Sequence, residues 1–124
     1  MIEVINIKHF RGKDDQYVYI GRGKGGLVPE SGYGMFGNPV AIGRVCPVCG
    51  ETHRDGGSTL PCYRVYLWAR LQEKGDLYWR MVRMAQQHNL NEAVVRLGCF
   101  CHPKPCHGEV LKRAIEWLAE QLRV

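Results

Sequence analysis

Residues 94–123 read VVRLGCFCHPKPCHGEVLKRAIEWLAEQLR and join a strand pattern to a helix pattern. The apolar, β-branched start of this stretch, Val94–Cys101, is typical of a buried strand. From His107 to Arg123, apolar residues recur at the spacing of one helix face; they are Val110, Leu111, Ala114, Ile115, Leu118, Ala119 and Leu122. The Pro-Lys-Pro turn between the two elements takes the chain out of the strand, because proline cannot donate a ladder hydrogen bond. The stretch therefore predicts a strand–turn–helix unit of an α/β fold.

Two segments near the start of the chain predict further strands. Ile2–Lys8 and Gln16–Ile20 are rich in β-branched and aromatic residues. The polar link between them contains Gly12 and is typical of a turn, so the two strands are candidates for a hairpin. Residues 21–43 hold eight of the 15 glycines and predict a long loop, which in a compact domain is more often functional than idle.

The middle of the chain predicts two helices. Pro61 fits the first turn of a helix that has Ser58 or Thr59 as its N-cap and Gly75 as its C-terminal stop. A second helix is predicted over residues 76–88, with Asp76 as its cap. Its apolar stripe consists of Leu77, Met81, Met84 and Ala85.

A first group of cysteines has the spacing of a zinc knuckle. Residues 46–53 read CPVCGETH, and Cys62 follows nine residues later. Two cysteines separated by two residues can chelate one ion through a tight turn, and Gly50 allows that turn. We predict that four ligands bind one structural zinc ion, since four protein ligands leave no open position for chemistry; they are Cys46, Cys49, His53 and Cys62. The plainer alternative is three unconnected buried thiols.

The length and composition indicate one globular domain. The chain has 124 residues, of which 45% are hydrophobic and 23% charged, which is ordinary for such a domain. We predict a small single-domain layered α/β fold over residues 1–124, with a mixed sheet of about three to four strands, about three helices and a zinc-knuckle insert over residues 44–62. No apolar run approaches the roughly 20 residues that span a bilayer, and the start does not resemble a secretory signal. We therefore expect a cytoplasmic protein with no membrane partner.

A second group lies where the last predicted strand meets the last helix: Cys99, Cys101, Cys106 and His107. Open α/β folds place ligands at this end of a strand, and a helix N-terminus favours anions and thiolates. Three interpretations stay open. All four residues could form a second metal site, Cys106 could be a thiolate that acts in catalysis or ligand contact, or the thiols could simply be buried. We expect Gly108 to leave the helix end open to a ligand.

The charge of the chain favours an anionic partner. Lys and Arg number 17 against 12 acidic residues, which gives a net charge of +5 and makes phosphates plausible ligands. Gly21–Gly26 formally matches the Gly-x-Gly-x-x-Gly pattern of dinucleotide-binding folds. We reject that interpretation, because no helix follows and no acidic residue stands about 20 residues later. Arg22 and Lys24, with the glycine amides, are still candidates for a phosphate contact, and a plain surface loop fits equally well.

Three motifs stand together in this chain: YIGR at residues 19–22, GNP at residues 37–39 and CFCHPKPCHG at residues 99–108. With them the chain resembles, over nearly its whole length, a family of small phage and bacterial proteins known only as a domain of unknown function (number forty-three twenty-six). Some members of that family also carry the Cys-Pro-x-Cys-Gly insert, which ends in Cys-Tyr before the helix as Cys62-Tyr63 does here. The resemblance implies a shared fold and one common pocket, formed by Arg22, Asn38, Cys99, Cys101, Cys106 and His107, and it implies no established reaction.

The preferred hypothesis is a domain that binds a nucleotide or a nucleic-acid phosphate at this pocket and could process it. The candidate catalytic residues are Cys106, His107 and Asn38, with Asn38 also in a position to contact a base or sugar. The candidate ligand-binding residues are Arg22, Lys24, Gly37, Cys99, Cys101 and Gly108. Whether the protein is an enzyme stays open, because no acidic residue lies inside the three motifs. The alternative is a non-enzymatic, zinc-stabilised binding module of phage type, with a host protein or a nucleic acid as its partner.

Overall fold

Three strands and three helices form the part of the chain that the computed structural model describes, which is residues 1–13, 16–21, 36–40, 42–90, 94–99 and 106–123. In chain order the elements are β1 (Ile2–Asn6), β2 (Val18–Tyr19), α1 (Leu60–Glu73), α2 (Asp76–Leu90), β3 (Val95–Cys99) and α3 (His107–Leu122). The predicted small α/β fold is confirmed. No helix of the described residues is long and apolar enough to cross a membrane.

The sheet has β3 at its centre, in the order β1-β3-β2, and both neighbours run parallel to it. Leu97 pairs with Val4 on one side and with Val18 on the other. The first two strands therefore do not form a hairpin, and the described sheet is parallel rather than mixed. The reason is burial: β3 is the most thoroughly buried of the three strands, so it takes the central position.

Alternating side chains divide the sheet into a helix-covered face and an opposite face. Val4 and Leu97 belong to the same buried cluster as the helices. On the opposite face Arg96 pairs with Glu3 at 3.1 Å. Gly98 also lies on that face, where a Cβ atom would come within 2.5 Å of the ring of Tyr17. A glycine is therefore needed at this point of β3, so that the segment before β2 can cover the sheet.

The predicted ends of α1 and α2 need correction. A short 3-10 turn, Gly57–Thr59, precedes α1, and the Thr59 hydroxyl donates to the Gly56 carbonyl instead of capping the helix. At its other end α1 stops one residue earlier than predicted, at Lys74, which adopts the left-handed conformation with φ of 52°. The Gly75 carbonyl then accepts from the Trp79 amide, so Asp76 lies inside the first turn of α2 rather than at its cap. The predicted stripe of α2 is buried, namely Leu77, Met81, Met84 and Ala85.

Helices α1 and α3 run in the same direction from the same end of the sheet. The ring of Tyr63 lies 5.1 Å from that of His107 near the start of both helices, and Trp68 lies 5.4 Å from Trp117 further along. The predicted apolar face of α3 is buried at Leu111, Ile115, Leu118 and Ala119, while Leu122 is exposed. Both helices thus begin at the edge where the parallel strands end.

Candidate metal centre and thiol pair

A tight hairpin turn builds the first cysteine group. Val45 and Thr52 form an antiparallel bridge, and inside it the Cys46 amide donates to the Glu51 carbonyl at 2.8 Å. The Gly50 amide donates to the Cys46 carbonyl at 2.9 Å, with a φ of 78° that favours glycine. The backbone therefore folds back on itself in the manner that the Cys-x-x-Cys-Gly sequence predicts.

All four predicted ligands of this group converge. The thiol sulfurs of Cys46, Cys49 and Cys62 and a ring nitrogen of His53 lie within 4.8 Å of one another. The Nε2 atom of His53 is 3.5 Å from the Sγ atoms of both Cys49 and Cys62. Three sulfurs and one imidazole nitrogen at such distances form a cluster that could hold a metal ion.

Backbone amides point at one of these sulfurs. The Sγ atom of Cys46 accepts from the amides of Val48 at 3.3 Å and Cys49 at 3.5 Å. Burial acts to raise the pKa of Cys46, but hydrogen bonds from these amides and from His53 outweigh it and lower the pKa to about 6. Burial, together with the neighbouring thiols, raises the pKa of Cys62 to about 11. Three thiolates cannot gather here unless a cation balances them, which is what a metal ion provides.

A second layer of hydrogen bonds orients the imidazole. The Ser58 hydroxyl donates its proton to the Asp55 carbonyl at 3.0 Å, so it accepts from His53 Nδ1 at 3.1 Å. His53 Nδ1 is thereby directed at Ser58, and Nε2 is directed at the sulfurs, from which side it could bind a metal ion. Such a contact is typical of metal-binding histidines.

The Asn38 side chain links the cluster region to the start of α1. Its Nδ2 atom donates to the Thr59 hydroxyl at 2.9 Å, and its Oδ1 atom accepts from the Val40 amide at 2.9 Å. Val40 packs with the buried thiols Cys46 and Cys62. Asn38 thus ties the segment before the first cysteine group to the start of α1, and its contact with a ligand stays a prediction.

The second group centres on Cys106, which is the N-cap of α3. The Cys106 Sγ atom accepts from the Gly108 amide at 3.4 Å and lies 3.3 Å from the Sγ atom of Cys99. Cys99 stands at the end of β3, and the two side chains are each 2% exposed. The structure therefore brings together two predicted thiols from a strand end and a helix start.

His107 is held between a carbonyl and a thiol. Its Nε2 atom lies 2.6 Å from the Ile20 carbonyl oxygen, which can only accept, so Nε2 carries a proton. The other nitrogen, Nδ1, faces the Cys106 Sγ atom at 3.9 Å, and Tyr63 packs edge-on against the ring. With the proton on Nε2, Nδ1 faces the Cys106 thiol, which also donates to Cys99 at 3.3 Å, and this is the arrangement of a thiol–imidazole pair oriented by a third group.

The expectation that Gly108 leaves the helix end open is wrong. Gly108 is buried, and a Cβ atom there would come within 2.9 Å of Val4 and 3.0 Å of Ile20. The glycine lets α3 approach the sheet closely instead of exposing its own amide. Gly37 is likewise buried.

Three predicted site residues lie outside the described part of the chain: Arg22, Lys24 and Cys101. Within the described residues, the first group is the cluster of three or more His, Cys, Asp or Glu side chains with metal-binding spacing. The second metal site needs Cys101 as a ligand, so it stays a prediction.

The sequence analysis assigned no role to three aromatic residues: Tyr63, Trp68 and Trp117. Tyr63 is fully buried, and its hydroxyl donates to the Phe36 carbonyl at 2.7 Å, which ties the segment before the metal cluster to α1. Trp68 and Trp117 are exposed and in contact with each other. The sequence signal for these two residues was that each tryptophan lies outside the predicted apolar stripe of its helix.

The fold and the first cysteine group define a small α/β protein with a cluster that could bind metal. The chain belongs to the family described as Domain of unknown function (DUF4326), which matches residues 5–117. This confirms the resemblance inferred from the sequence. The chain matches no curated protein and no solved structure.

Proposed function

We propose that this protein is a zinc-stabilised domain that binds a phosphate-bearing ligand, a nucleotide or a nucleic-acid phosphate, at the carboxyl edge of its parallel sheet. The observation that carries the proposal is the convergence at this edge. His107 of α3 is hydrogen-bonded to the Ile20 carbonyl just after β2, and the Cys106 sulfur contacts the Cys99 sulfur at the end of β3. Open parallel sheets bind their ligands at this edge.

The donor set of the first group supports zinc as the metal. Thiolate ligands favour soft or borderline ions, and three thiolates with one imidazole form a common tetrahedral zinc site. All four positions would be filled by protein atoms, so the ion would be structural. The ion would stabilise residues 44–62, because this segment is held by hairpin hydrogen bonds and has little apolar packing of its own.

The start of α3 supports an anionic ligand at the other site. The positive end of the helix dipole lies there, although the Gly108 amide is already used by the Cys106 sulfur. Hydrogen bonds to the ligand would come from Arg22 and Lys24, which follow Ile20 by two and four residues in the sequence. Cys106 and His107 would then stand beside the phosphate as a thiol nucleophile and an acid–base group.

Calorimetric titration of the purified protein tests this proposal. The probes are inorganic phosphate, ATP and a single-stranded oligonucleotide, each at about 50 mM and about 200 mM salt. We expect at least one probe to bind, with an affinity that falls as salt rises. Arg22→Ala should weaken binding by about tenfold, because a charge-assisted contact is lost. Arg83→Ala removes one positive charge from the exposed face of α2 and serves as the matched control.

Two outcomes would overturn the proposal. One is the absence of binding to all three probes by a protein that is folded and carries its metal. The other is an equal loss of affinity in the Arg22 and Arg83 variants, which would mean that only the net charge of the chain attracts the anion.

A further inference from the structure

A groove of about 870 Å³ lies between α1 and α3, and its described lining contains no residue of either cysteine group. Each helix lines it with an arginine followed about one turn later by a tryptophan, which are Arg64 and Trp68 on α1 and Arg113 and Trp117 on α3. Most of the remaining lining is aliphatic, including the buried side chain of Leu67. The groove is thus apolar inside and basic at its rim.

The apolar side chains of this groove are unusually exposed. Val65 is 58% exposed, Trp68 51% and Trp117 44%. The two indole rings contact each other edge to face, with centroids 5.4 Å apart, and together they form one continuous apolar patch. Patches of this kind mark interaction sites on soluble proteins, and tryptophan and arginine dominate binding hot spots. The groove therefore has the composition of a docking surface.

The charges at the rim indicate that the partner carries the opposite, negative charge. Arg64 and Arg113 are exposed, and neither belongs to an ion pair within the described residues. Glu109 is the acidic residue of the lining, so the groove carries two positive charges against one negative. A second copy of the chain would bring arginines against arginines. A partner with carboxylates would instead neutralise them.

We propose that the groove between α1 and α3 docks an amphipathic helical segment of a protein partner, whose apolar side chains enter the groove and whose Asp or Glu residues face Arg64 and Arg113. The aliphatic lining suits apolar side chains, in the manner of a helix bound in a groove. Single-stranded nucleic acid is less well matched, because the edge of one indole covers a face of the other that a stacked base would need. Among the described residues, none named for the proposed phosphate site lines this groove.

Fluorescence anisotropy with two labelled helical peptides tests the docking proposal. Both peptides are about five turns long and carry the same Leu and Phe anchors, and they differ only in Glu or Lys at the flanking positions. We expect the Glu peptide to bind the full chain about tenfold more tightly than the Lys peptide, since two rim charges favour one and repel the other. The double variant Arg64→Glu, Arg113→Glu should reverse this preference.

Tryptophan variants locate the binding surface. Trp117→Ala should weaken binding of the Glu peptide by about tenfold or more, as for a buried hot spot. Trp79→Ala, which removes an exposed tryptophan of α2 outside the groove, should leave the affinity unchanged. Circular dichroism shows whether each variant is folded. If Trp117→Ala does not fold, Trp117→Phe is used in its place.

Three results would overturn the docking proposal. The first is equal binding of the two peptides, or binding of neither. The second is displacement of the Glu peptide by a single-stranded oligonucleotide that depends on Trp117, which would assign the groove to nucleic acid. The third is a concentration-dependent dimer, seen by sedimentation, that Trp117→Ala abolishes, which would assign the groove to a second copy of the chain.

Discussion

The two cysteine–histidine groups contain the same kinds of side chain and arrange them differently. In the metal cluster a hairpin turn at Gly50 and the first turn of α1, which carries Cys62, bring three sulfurs and a ring nitrogen of His53 within 4.8 Å of one another. At the start of α3, His107 turns one nitrogen to the Ile20 carbonyl and the other to Cys106. The first arrangement makes donors converge on one point, as a metal requires. The second gives a thiol and a base a fixed direction, as proton transfer requires.

The two groups also differ in how their sulfurs are supported. The Cys46 sulfur accepts hydrogen bonds from two backbone amides, which together with His53 lower its pKa to about 6. The Ser58 hydroxyl orients the His53 ring. Cys106 has one amide, that of Gly108, and a second thiol at 3.3 Å. Backbone amides that point at a sulfur in the hairpin help to stabilise several thiolates around a cation. The N-terminus of a helix stabilises a single thiolate.

The largest expected difference between the groups is their effect on folding. Cys49 is exposed, so Cys49→Ser removes a ligand without disturbing packing. We expect loss of the bound metal and a fall in melting temperature of about 10 °C or more, because metal binding is coupled to folding. Metal analysis and circular dichroism measure the two effects. Cys99→Ser is the control, which should keep its metal, and a Cys49→Ser protein with unchanged metal content would refute the ligand assignment.

Acid should release the metal and lower the stability. The pKa of Cys46 is lowered to about 6 in the folded protein, so its thiolate contributes stability that is lost as pH falls through about 6. Metal binding also needs the three sulfurs deprotonated, which again favours higher pH. Metal content after dialysis at a series of pH values between about 8 and about 5 measures the effect. Retention that is independent of pH over this range would contradict the account.

Thiol alkylation should distinguish the members of the second group. Both thiols are 2% exposed and should react slowly, and we expect iodoacetamide to modify Cys106 before Cys99, because His107 faces the Cys106 thiol and the helix end favours its thiolate. His107→Gln retains an amide N–H for the Ile20 carbonyl and removes the base, so it should slow modification of Cys106 by about tenfold. Mass spectrometry of peptides locates the label. A phosphate-bearing ligand should protect Cys106, and an equal rate for both thiols would argue against the thiol–imidazole pair.

The smallest expected effect lies in the second layer of the metal cluster. Ser58→Ala removes the hydroxyl that accepts from His53 Nδ1 and should lower metal affinity by about tenfold, with little change in folding of the metal-loaded protein. Competition with a chromophoric chelator measures the affinity. Ser58→Thr keeps the hydroxyl and should behave like the unaltered chain. If both variants bind metal equally well, His53 does not depend on this contact.

Local patterns allowed part of this structure to be predicted. The spacing of Cys46, Cys49 and His53 is confined to one turn, and the apolar stripe of α3 follows from helix geometry alone. Both depend only on neighbours in sequence. The convergence of a Cys/His cluster that could hold a metal ion and the core face of α3 therefore agree with the prediction.

Features that depend on distant parts of the chain were missed. The central place of β3 is decided by which strand is buried most, and this burial comes from helices on other segments. Gly108 looks like an open helix end in the sequence, but Val4 and Ile20 pack against it. The exposed Trp68 and Trp117 meet only because α1 and α3 run side by side.

The metal content of the purified protein tests the central distinction between the two groups most directly. Elemental analysis of the unaltered chain should find one zinc ion per chain, bound by Cys46, Cys49, His53 and Cys62. Cys49→Ser should contain none, and Cys106→Ser should still contain one. A second ion that is lost in Cys106→Ser would show that both groups bind metal. A folded chain without any metal would show that neither group does.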